Sequence, residues 1–135
     1  NDLVSVTLFG SRARSEAGPE SDWDLLIIAH DLPPKPLERH FRLKVLLPDG
    51  WRARVALLAK TPAEFEARLP ALYLDIALDG VVLYDAEGYI APRLAYIRER
   101  MTRLGLERQR THGDLTWRWR AGPPPAWSLE WEEWP

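Results

Sequence analysis

Two strand patterns separated by turn residues occupy the first thirty positions. Alternating apolar residues predict a strand over 3–9, which Gly10 ends. The run DLLIIA at 24–29 is apolar on both faces and predicts a buried central strand. Between them we expect a short helix over 12–16, with Ser11 as its N-cap.

The segment 37–47 fits two patterns. Leu37, Phe41 and Val45 recur every four residues, as on one side of a helix, whereas a two-residue alternation in the same segment fits a strand. We predict a helix, because two buried strands of one sheet usually need a crossover between them. A strand over 51–59 follows.

Clear start and stop signals mark the helices of the second half. Residues 61–64 (TPAE) form a capping box with proline at the first helical position. This helix is interrupted at Pro70, a second one ends at Gly80, and a short strand is predicted over 81–84.

A longer helix is predicted to open at Pro92 and to close at Gly105. Its apolar stripe consists of Leu94, Ile97, Met101 and Leu104. Alternation over 115–119 indicates one more strand, at an edge. The order of elements predicts an α/β (α+β) domain with a small mixed sheet flanked by helices.

Composition is that of one water-soluble domain. The chain has 135 residues, 46% of them hydrophobic and 28% charged, and no cysteine. The absence of cysteine excludes disulfides and thiolate metal sites, and an apolar run such as 25–29 is too short for a membrane. We expect a cytoplasmic protein without membrane contact. Arginine-rich, cysteine-free usage favours a thermophilic source, and the start at Asn1 suggests residues upstream.

Charge is distributed unevenly. Residues 1–92 carry a net charge of −4, residues 93–120 one of +5 and residues 121–135 one of −3. The basic segment is either a solvated helix face or a surface for phosphate, an acidic partner or nucleic acid such as tRNA. RNA binding is therefore one functional hypothesis.

The residues with the clearest chemistry lie in the stretch FGSRARSEAGPESDWDL at 9–25. Gly10 allows a sharp turn and close approach of a ligand to the backbone. Ser11 lies where amide groups open a helix, a natural place for a phosphate, and Arg12 and Arg14 add positive charge. This turn is a candidate phosphate-binding site.

Two carboxylates follow this turn. Asp22 and Asp24 are two residues apart at the start of the buried strand, so their side chains share one face, about 7 Å apart along the strand. Such a pair repels unless a cation lies between its members, and hard oxygen ligands suit Mg²⁺ that also binds substrate phosphates. A phosphate cradle beside a magnesium pair predicts phosphoryl or nucleotidyl transfer.

Two motifs in this stretch resemble a known family. GSRAR at 10–14 and SDWDL at 21–25 are similar to the signature of the minimal nucleotidyltransferase (MNT) family of the polymerase β superfamily. The resemblance covers about residues 3–88. It implies that Gly10 and Ser11 hold a nucleoside triphosphate and that Asp22 and Asp24 are the catalytic metal ligands.

The resemblance also implies an activity and a partner. Members transfer a nucleotide monophosphate, often AMP from ATP, to an acceptor hydroxyl with Mg²⁺, or alternatively Mn²⁺, and release pyrophosphate. Many pair with a small helical HEPN protein as antitoxin and toxin. We therefore weigh an active adenylyltransferase against a catalytically weakened fold that acts by binding a HEPN-type partner; a homo-oligomer is a further alternative.

The chain departs from the family pattern in two places. Ser15 stands where the family usually has glycine, which is tolerable if this backbone angle is not left-handed. The third carboxylate of the family belongs on the strand before the 61–65 helix start, where this chain has Ala56.

Several substitutes for the missing acid are conceivable. Glu64, Asp75, Asp79 or a partner could supply it, or catalysis could be lost.

The C-terminal part is set apart by its tryptophans. We divide the chain into a nucleotidyltransferase core, 1–90, and a helix, basic segment and Trp-rich tail, 91–135. Five of the seven tryptophans lie after residue 116. Trp127, Trp131 and Trp134 are either contacts for a partner or a tail that docks on its own domain.

Overall fold

A four-stranded mixed sheet forms the centre of the fold. The computed structural model describes residues 2–122 and 130–131. The elements are β1 (Leu3–Phe9), α1 (Gly10–Ala13), β2 (Trp23–Ala29), α2 (Pro36–Lys44), a 3₁₀ turn (Asp49–Trp51), β3 (Val55–Lys60), α3 (Pro62–Ala67), α4 (Ala71–Asp79), β4 (Val81–Asp85), α5 (Ile90–Leu104), β5 (Leu106–Thr111) and β6 (Asp114–Trp119).

The sheet has the order β3-β2-β1-β4. β1 pairs antiparallel with both β2 and β4, and β2 pairs parallel with β3. The mixed α+β architecture predicted from the sequence is therefore confirmed, and β2 is the central strand expected for the 24–29 run. The predicted crossover helix between β2 and β3 is α2.

Helices α3, α4 and α5 cover one face of the sheet. Leu26 and Ile28 of β2, Phe65 of α3, Ile76 of α4 and Ile97 of α5 are all fully buried in one cluster. On β1 the buried positions are Ser5 and Thr7, not the larger Val6 and Leu8. A small residue is required there because α4 packs closely on β1: a Cβ on Gly80 would lie 3.0 Å from Thr7 Cγ2.

Helix α2 confirms the choice made for 37–47, but its apolar stripe does not enter the core. Leu37, Phe41 and Val45 are 66%, 60% and 61% exposed. The buried residue of α2 is Arg39, whose guanidinium donates to the carbonyls of Pro33 and Ala59 and to the carboxylate of Glu64. Spacing predicted the helix but not the face that is buried.

The predicted capping box at α3 is present, and it extends into an ion pair. The first amides of a helix have no carbonyl partner within it. Here the Glu64 amide donates to the Thr61 hydroxyl, and the Thr61 amide donates to the Glu64 carboxylate. Arg39 donates to both oxygens of Glu64 at 2.7 and 3.1 Å. These bonds and the Thr61 amide lower the pKa of Glu64 to about 2 from an ordinary 4.5.

Changing Glu64 to glutamine is expected to lower the melting temperature at neutral pH and to matter less in acid. The depressed folded-state pKa means that the stabilisation is complete above about pH 4.5 and is lost as pH falls toward 2. Melts of both proteins across this range test it, with Glu38→Gln, an exposed acid of α2, as control. A wild-type advantage that stays constant down to pH 2.5 would contradict this role.

Several boundaries differ from the predictions. The 51–59 strand begins only at Val55, because residues 49–51 turn and Trp51 packs against the ring of Trp23 at 6.0 Å. Residues 115–119 form half of a separate hairpin, β5–β6, and not an edge of the main sheet. Its turn at His112-Gly113 has positive φ at both residues, which suits a two-residue hairpin.

The basic segment is not a uniformly solvated face. Arg100 lies on the buried side of α5 and is 7% exposed. Arg98 donates to the carbonyl of Ala77, and Arg93 pairs with Glu66.

None of the described helices is long and apolar enough to cross a bilayer.

Trp131 of the Trp-rich tail is among the described residues, and it docks on its own domain. The Trp131 ring lies 5.5 Å from Phe65 and 5.6 Å from Tyr96, and its Nε1 donates to the carbonyls of Phe65 and Arg68. Trp127 and Trp134 lie outside the described residues.

Candidate functional site

The turn between β1 and β2 brings most of the predicted site residues together. Phe9, the last residue of β1, pairs with Asp24 of β2, so the loop that begins at Gly10 returns beside its own start. Asp22 is exposed just before β2, and Asp24 is half-buried within it. The phosphate-loop candidates and the two acids therefore lie at one end of the sheet.

Gly10 is in contact with Asp24. The glycine has φ +74°, and a Cβ built on it would lie 2.1 Å from Oδ2 of Asp24. Only glycine combines this left-handed angle with the space that the carboxylate occupies. The freedom inferred for Gly10 therefore lets the carboxylate of Asp24, one of the two candidate metal ligands, lie directly against the backbone.

Asp22 and Asp24 differ from the other acids around them. Neither carboxylate hydrogen-bonds or ion-pairs with another described residue, whereas Glu64, Asp75 and Asp79 are each bound by an arginine. Burial and the neighbouring Asp22 raise the pKa of Asp24, and Arg14 partly opposes this. Two unpaired carboxylates whose charges disfavour each other are a fitting donor set for a divalent cation.

The helix predicted over 12–16 is shorter and begins earlier than expected. α1 spans Gly10–Ala13, Phe9 is its N-cap, and no side chain caps it, so the expectation that Ser11 is the N-cap is wrong. Ser11 is half-buried within the turn, and its hydroxyl makes no hydrogen bond to the described residues. The hydroxyl is thereby left available to a ligand.

Ser15 adopts the conformation that glycine would accept most easily. Its φ is +60°, which is left-handed. Serine was expected to replace glycine without strain only if this angle were not left-handed, so Ser15 is strained. A non-glycine residue pays about 1–2 kcal/mol for this angle. The amides of Ser15 and Glu16 bond to the carbonyls of Arg12 and Ser11, and these bonds hold the turn.

The two arginines of the motif are placed differently. Arg12 lies over the ring of Trp23 at 4.5 Å and donates to the carbonyl of Ser21 at 2.9 Å. It therefore ties α1 to the loop that carries Asp22. Arg14 donates from Nε to Glu16 at 3.0 Å and from Nη1 to Asp79 at 3.3 Å.

Ala56 is the residue of β3 directly beside Asp24. The parallel register pairs Asp24 with Ala56 and Ile28 with Lys60, and paired positions point their side chains to the same face. Each acid of this chain suggested as a substitute either lies far from Ala56 or is bound by an arginine. Glu64 follows the far end of β3, roughly 13 Å or more along the strand from Ala56.

Asp75 and Asp79 are engaged by the hairpin. Arg108 donates to Asp79 through two nitrogens at 2.6 and 2.7 Å and to Asp75 at 3.1 Å. Burial alone would raise the pKa of Asp79, but the bonds from Arg108 and Arg14 lower it. Within the described residues, no cluster of three His, Asp or Glu side chains is placed to hold a metal ion.

About the first two thirds of the chain are similar to a family of known proteins. The profile of the family described as "Nucleotidyltransferase domain" matches residues 1–87. A "putative protein adenylyltransferase" of Methanocaldococcus jannaschii is 52% identical over 40 residues, which cover 30% of this chain and 27% of that protein. The match thus spans about a quarter of this relative's length.

Solved structures share the fold. A crystal structure of a toxin–antitoxin with AMP-PNP superposes with a TM-score of 0.53 at 17% identity, covering 76% of this chain and 80% of that one. A mutant of the toxin–antitoxin MntA–HpeT gives a TM-score of 0.52 at 15% identity, covering 76% and 79%. The chain belongs to the nucleotidyltransferase domain family.

Proposed function

We propose that this protein is a Mg²⁺-dependent adenylyltransferase that moves AMP from ATP to an acceptor hydroxyl. The observation that carries the proposal is the pair Asp22 and Asp24, two acids beside a glycine turn that make no ion pair with another described residue, whereas Glu64 and Asp79 are bound by arginines. The 40-residue similarity to a protein named as an adenylyltransferase supports AMP as the transferred group.

Each residue of the site has a part in this reaction. Asp22 and Asp24 bind the metal, Gly10 lets the polyphosphate approach the backbone, and the Ser11 hydroxyl donates to a phosphate oxygen. Arg14 adds positive charge: its Nη2 makes no hydrogen bond to the described residues, while Nε and Nη1 are held by acids. Because Arg12 is engaged with Trp23 and Ser21, its part is to order the loop.

The reaction is an in-line exchange at the α-phosphorus. The acceptor oxygen forms a bond to the α-phosphorus, the bond from that phosphorus to the α,β-bridging oxygen breaks, and pyrophosphate leaves. Bound Mg²⁺ would neutralise phosphate charge and lower the pKa of the attacking hydroxyl. With Ala56 beside Asp24, β3 offers no carboxylate to accept the hydroxyl proton, which would pass to solvent water instead.

Calorimetric titration of the intact chain is expected to detect a nucleotide only when metal is present. The non-hydrolysable analogue α,β-methylene-ATP should bind with Mg²⁺ or Mn²⁺ and at least tenfold more weakly in EDTA, because both acids face the polyphosphate without a cation. CTP and GTP analogues in parallel titrations test base preference. If no nucleotide binds under either condition, the proposal fails.

A second candidate is a catalytically weakened fold that acts as an antitoxin. Ala56 at the position beside Asp24 favours it, and both solved neighbours above are named as toxin–antitoxins. In this case a HEPN-type partner is bound, nucleotide binding persists, and label from α-labelled ATP reaches no acceptor. The two candidates are separated by incubating the chain with its HEPN-type partner, Mg²⁺ and labelled ATP.

A third hypothesis, RNA binding through the basic segment, gains no support from the geometry. Arg108 and Arg110 bond to acids of the core, and Arg118 and Arg120 both pair with Glu107 of their own hairpin. An arginine already paired within the chain must give up that pair to meet a phosphate.

A further inference from the structure

Arg14 is held by two acids that are themselves held by the β5–β6 hairpin. Asp79, which receives a bond from Arg14, also receives the two bonds from Arg108 of β5. Glu16, the other acid bound to Arg14, receives Arg110 of β5 at 2.8 and 3.0 Å. Two separate connections thus run from the hairpin to one side chain of the phosphate turn.

The two connections differ in strength. The side chains of Asp79 and Arg108 are 8% and 14% exposed, so each needs the other to offset the loss of hydration. Arg110 and Glu16 are 50% and 44% exposed, and ion pairs at such exposure contribute little. Arg108 is therefore the dominant connection, and its forked contact fixes the orientation of the Asp79 carboxylate.

The hairpin lies outside the part of the chain that matches the family. The family profile ends at residue 87, whereas β5 begins at Leu106. The arginines that hold the turn therefore come from a segment beyond the matched part of the chain. This placement connects that segment to the candidate phosphate site through direct ion pairs.

We propose that the β5–β6 hairpin positions Arg14 for the nucleotide, with Arg108 and Asp79 as the principal positioning residues. The inference rests on the proposed function of the site. Arg108 holds the carboxylate of Asp79, and Asp79 in turn accepts a bond from Nη1 of Arg14. The Arg14 side chain is thus already ordered before a nucleotide arrives, so it loses little rotational freedom when its Nη2 binds a phosphate. The hairpin thus tunes affinity for the triphosphate without touching it.

Calorimetry with Mg²⁺ and α,β-methylene-ATP on the full chain tests this positioning. Arg108→Gln is expected to weaken binding about 3- to 10-fold, the lower part of the range found for coupled side chains. Arg108→Lys keeps the positive charge but cannot make the two parallel bonds to Asp79. This variant is expected to fold like wild type and to lose part of the nucleotide affinity. Arg118→Gln removes the same charge from the same hairpin, where its partner is Glu107, and should leave binding unchanged.

A double-mutant cycle distinguishes positioning from general structural support. If Arg108 acts through Arg14, Arg108→Gln should add no further weakening to an Arg14→Gln protein. Hydrogen exchange at the amides of residues 14–16, measured without nucleotide, should be faster in Arg108→Gln and Arg108→Lys than in wild type. That second readout depends on the turn alone.

The outcomes separate this inference from the function on which it rests. Absence of nucleotide binding by the wild-type protein overturns the proposed function and this inference with it. Wild-type binding that Arg108→Gln leaves unchanged, or weakens equally in both Arg14 backgrounds, overturns the positioning role alone. Unchanged exchange at residues 14–16 in both Arg108 variants also counts against it.

Discussion

Replacing Asp22 with alanine is expected to reduce transfer of label from α-labelled ATP by at least about 100-fold, the scale of removing one electrostatic contact that stabilises a transition state. Asp22 and Asp24 lie two residues apart beside the phosphate turn, and neither makes an ion pair with another described residue. Together they can provide two carboxylate ligands for Mg²⁺, and the variant keeps one of them. The measurement is label incorporation into a HEPN-type partner or another protein hydroxyl.

The folded state should survive this change. Asp22 is exposed, and its charge raises the pKa of Asp24, so removing it relieves repulsion in the metal-free protein. The melting temperature in EDTA is expected to equal or exceed that of wild type. Glu20→Ala is the matched control, because Glu20 is an exposed acid of the same loop. Transfer that continues in Asp22→Ala, or a loss of equal size in Glu20→Ala, would contradict the assignment.

Much of the fold was accessible from the sequence because its signals are local. The two-faced apolar run of β2, the capping box of α3 and the glycine after α5 each specify an element through neighbouring residues. Gly105 takes φ +74° at the C-cap, as its position after a periodic segment predicts. Such signals do not depend on which other element packs nearby.

Features that depend on packing were not predictable in this way. The α2 stripe has helical spacing, yet it faces solvent while Arg39 is buried, because the partner of Arg39 is Glu64, 25 residues away. β5 carries little apolar alternation, and its position is set by pairing with β6 and by the bonds of Arg108 to α4. Ion pairs between distant segments leave no periodic signal.

The candidate site was predictable in its residue types but not in its internal contacts. The spacing of Gly10, Asp22 and Asp24 located the turn and the acid pair correctly at one end of the sheet. Nothing in the spacing separated Arg12, which packs on Trp23, from Arg14, which faces Asp79. The only hint in the sequence that the hairpin arginines pair with acids of the core is the uneven charge, a basic segment that follows an acidic one.

Introducing an acid at Ala56 is expected to increase transfer by about 100-fold, the scale of one well-placed general base. The parallel register places this residue beside Asp24 on the same face, about 4.8 Å away across the sheet. Ala56→Asp would complete a set of three carboxylates that can hold metal and accept the proton of the acceptor hydroxyl. Label transfer from α-labelled ATP measures the gain.

The same change should make stability depend on metal. In EDTA a third carboxylate adds to the repulsion that already raises the pKa of Asp24, so the melting temperature should fall below that of wild type. Mg²⁺ should reverse the order, because the variant has one more ligand for it. Ala56→Asn has nearly the same shape without the charge and should show neither effect. If Ala56→Asp gains metal-dependent stability but no transfer, the missing acid is not what limits catalysis, and the binding-module alternative is favoured.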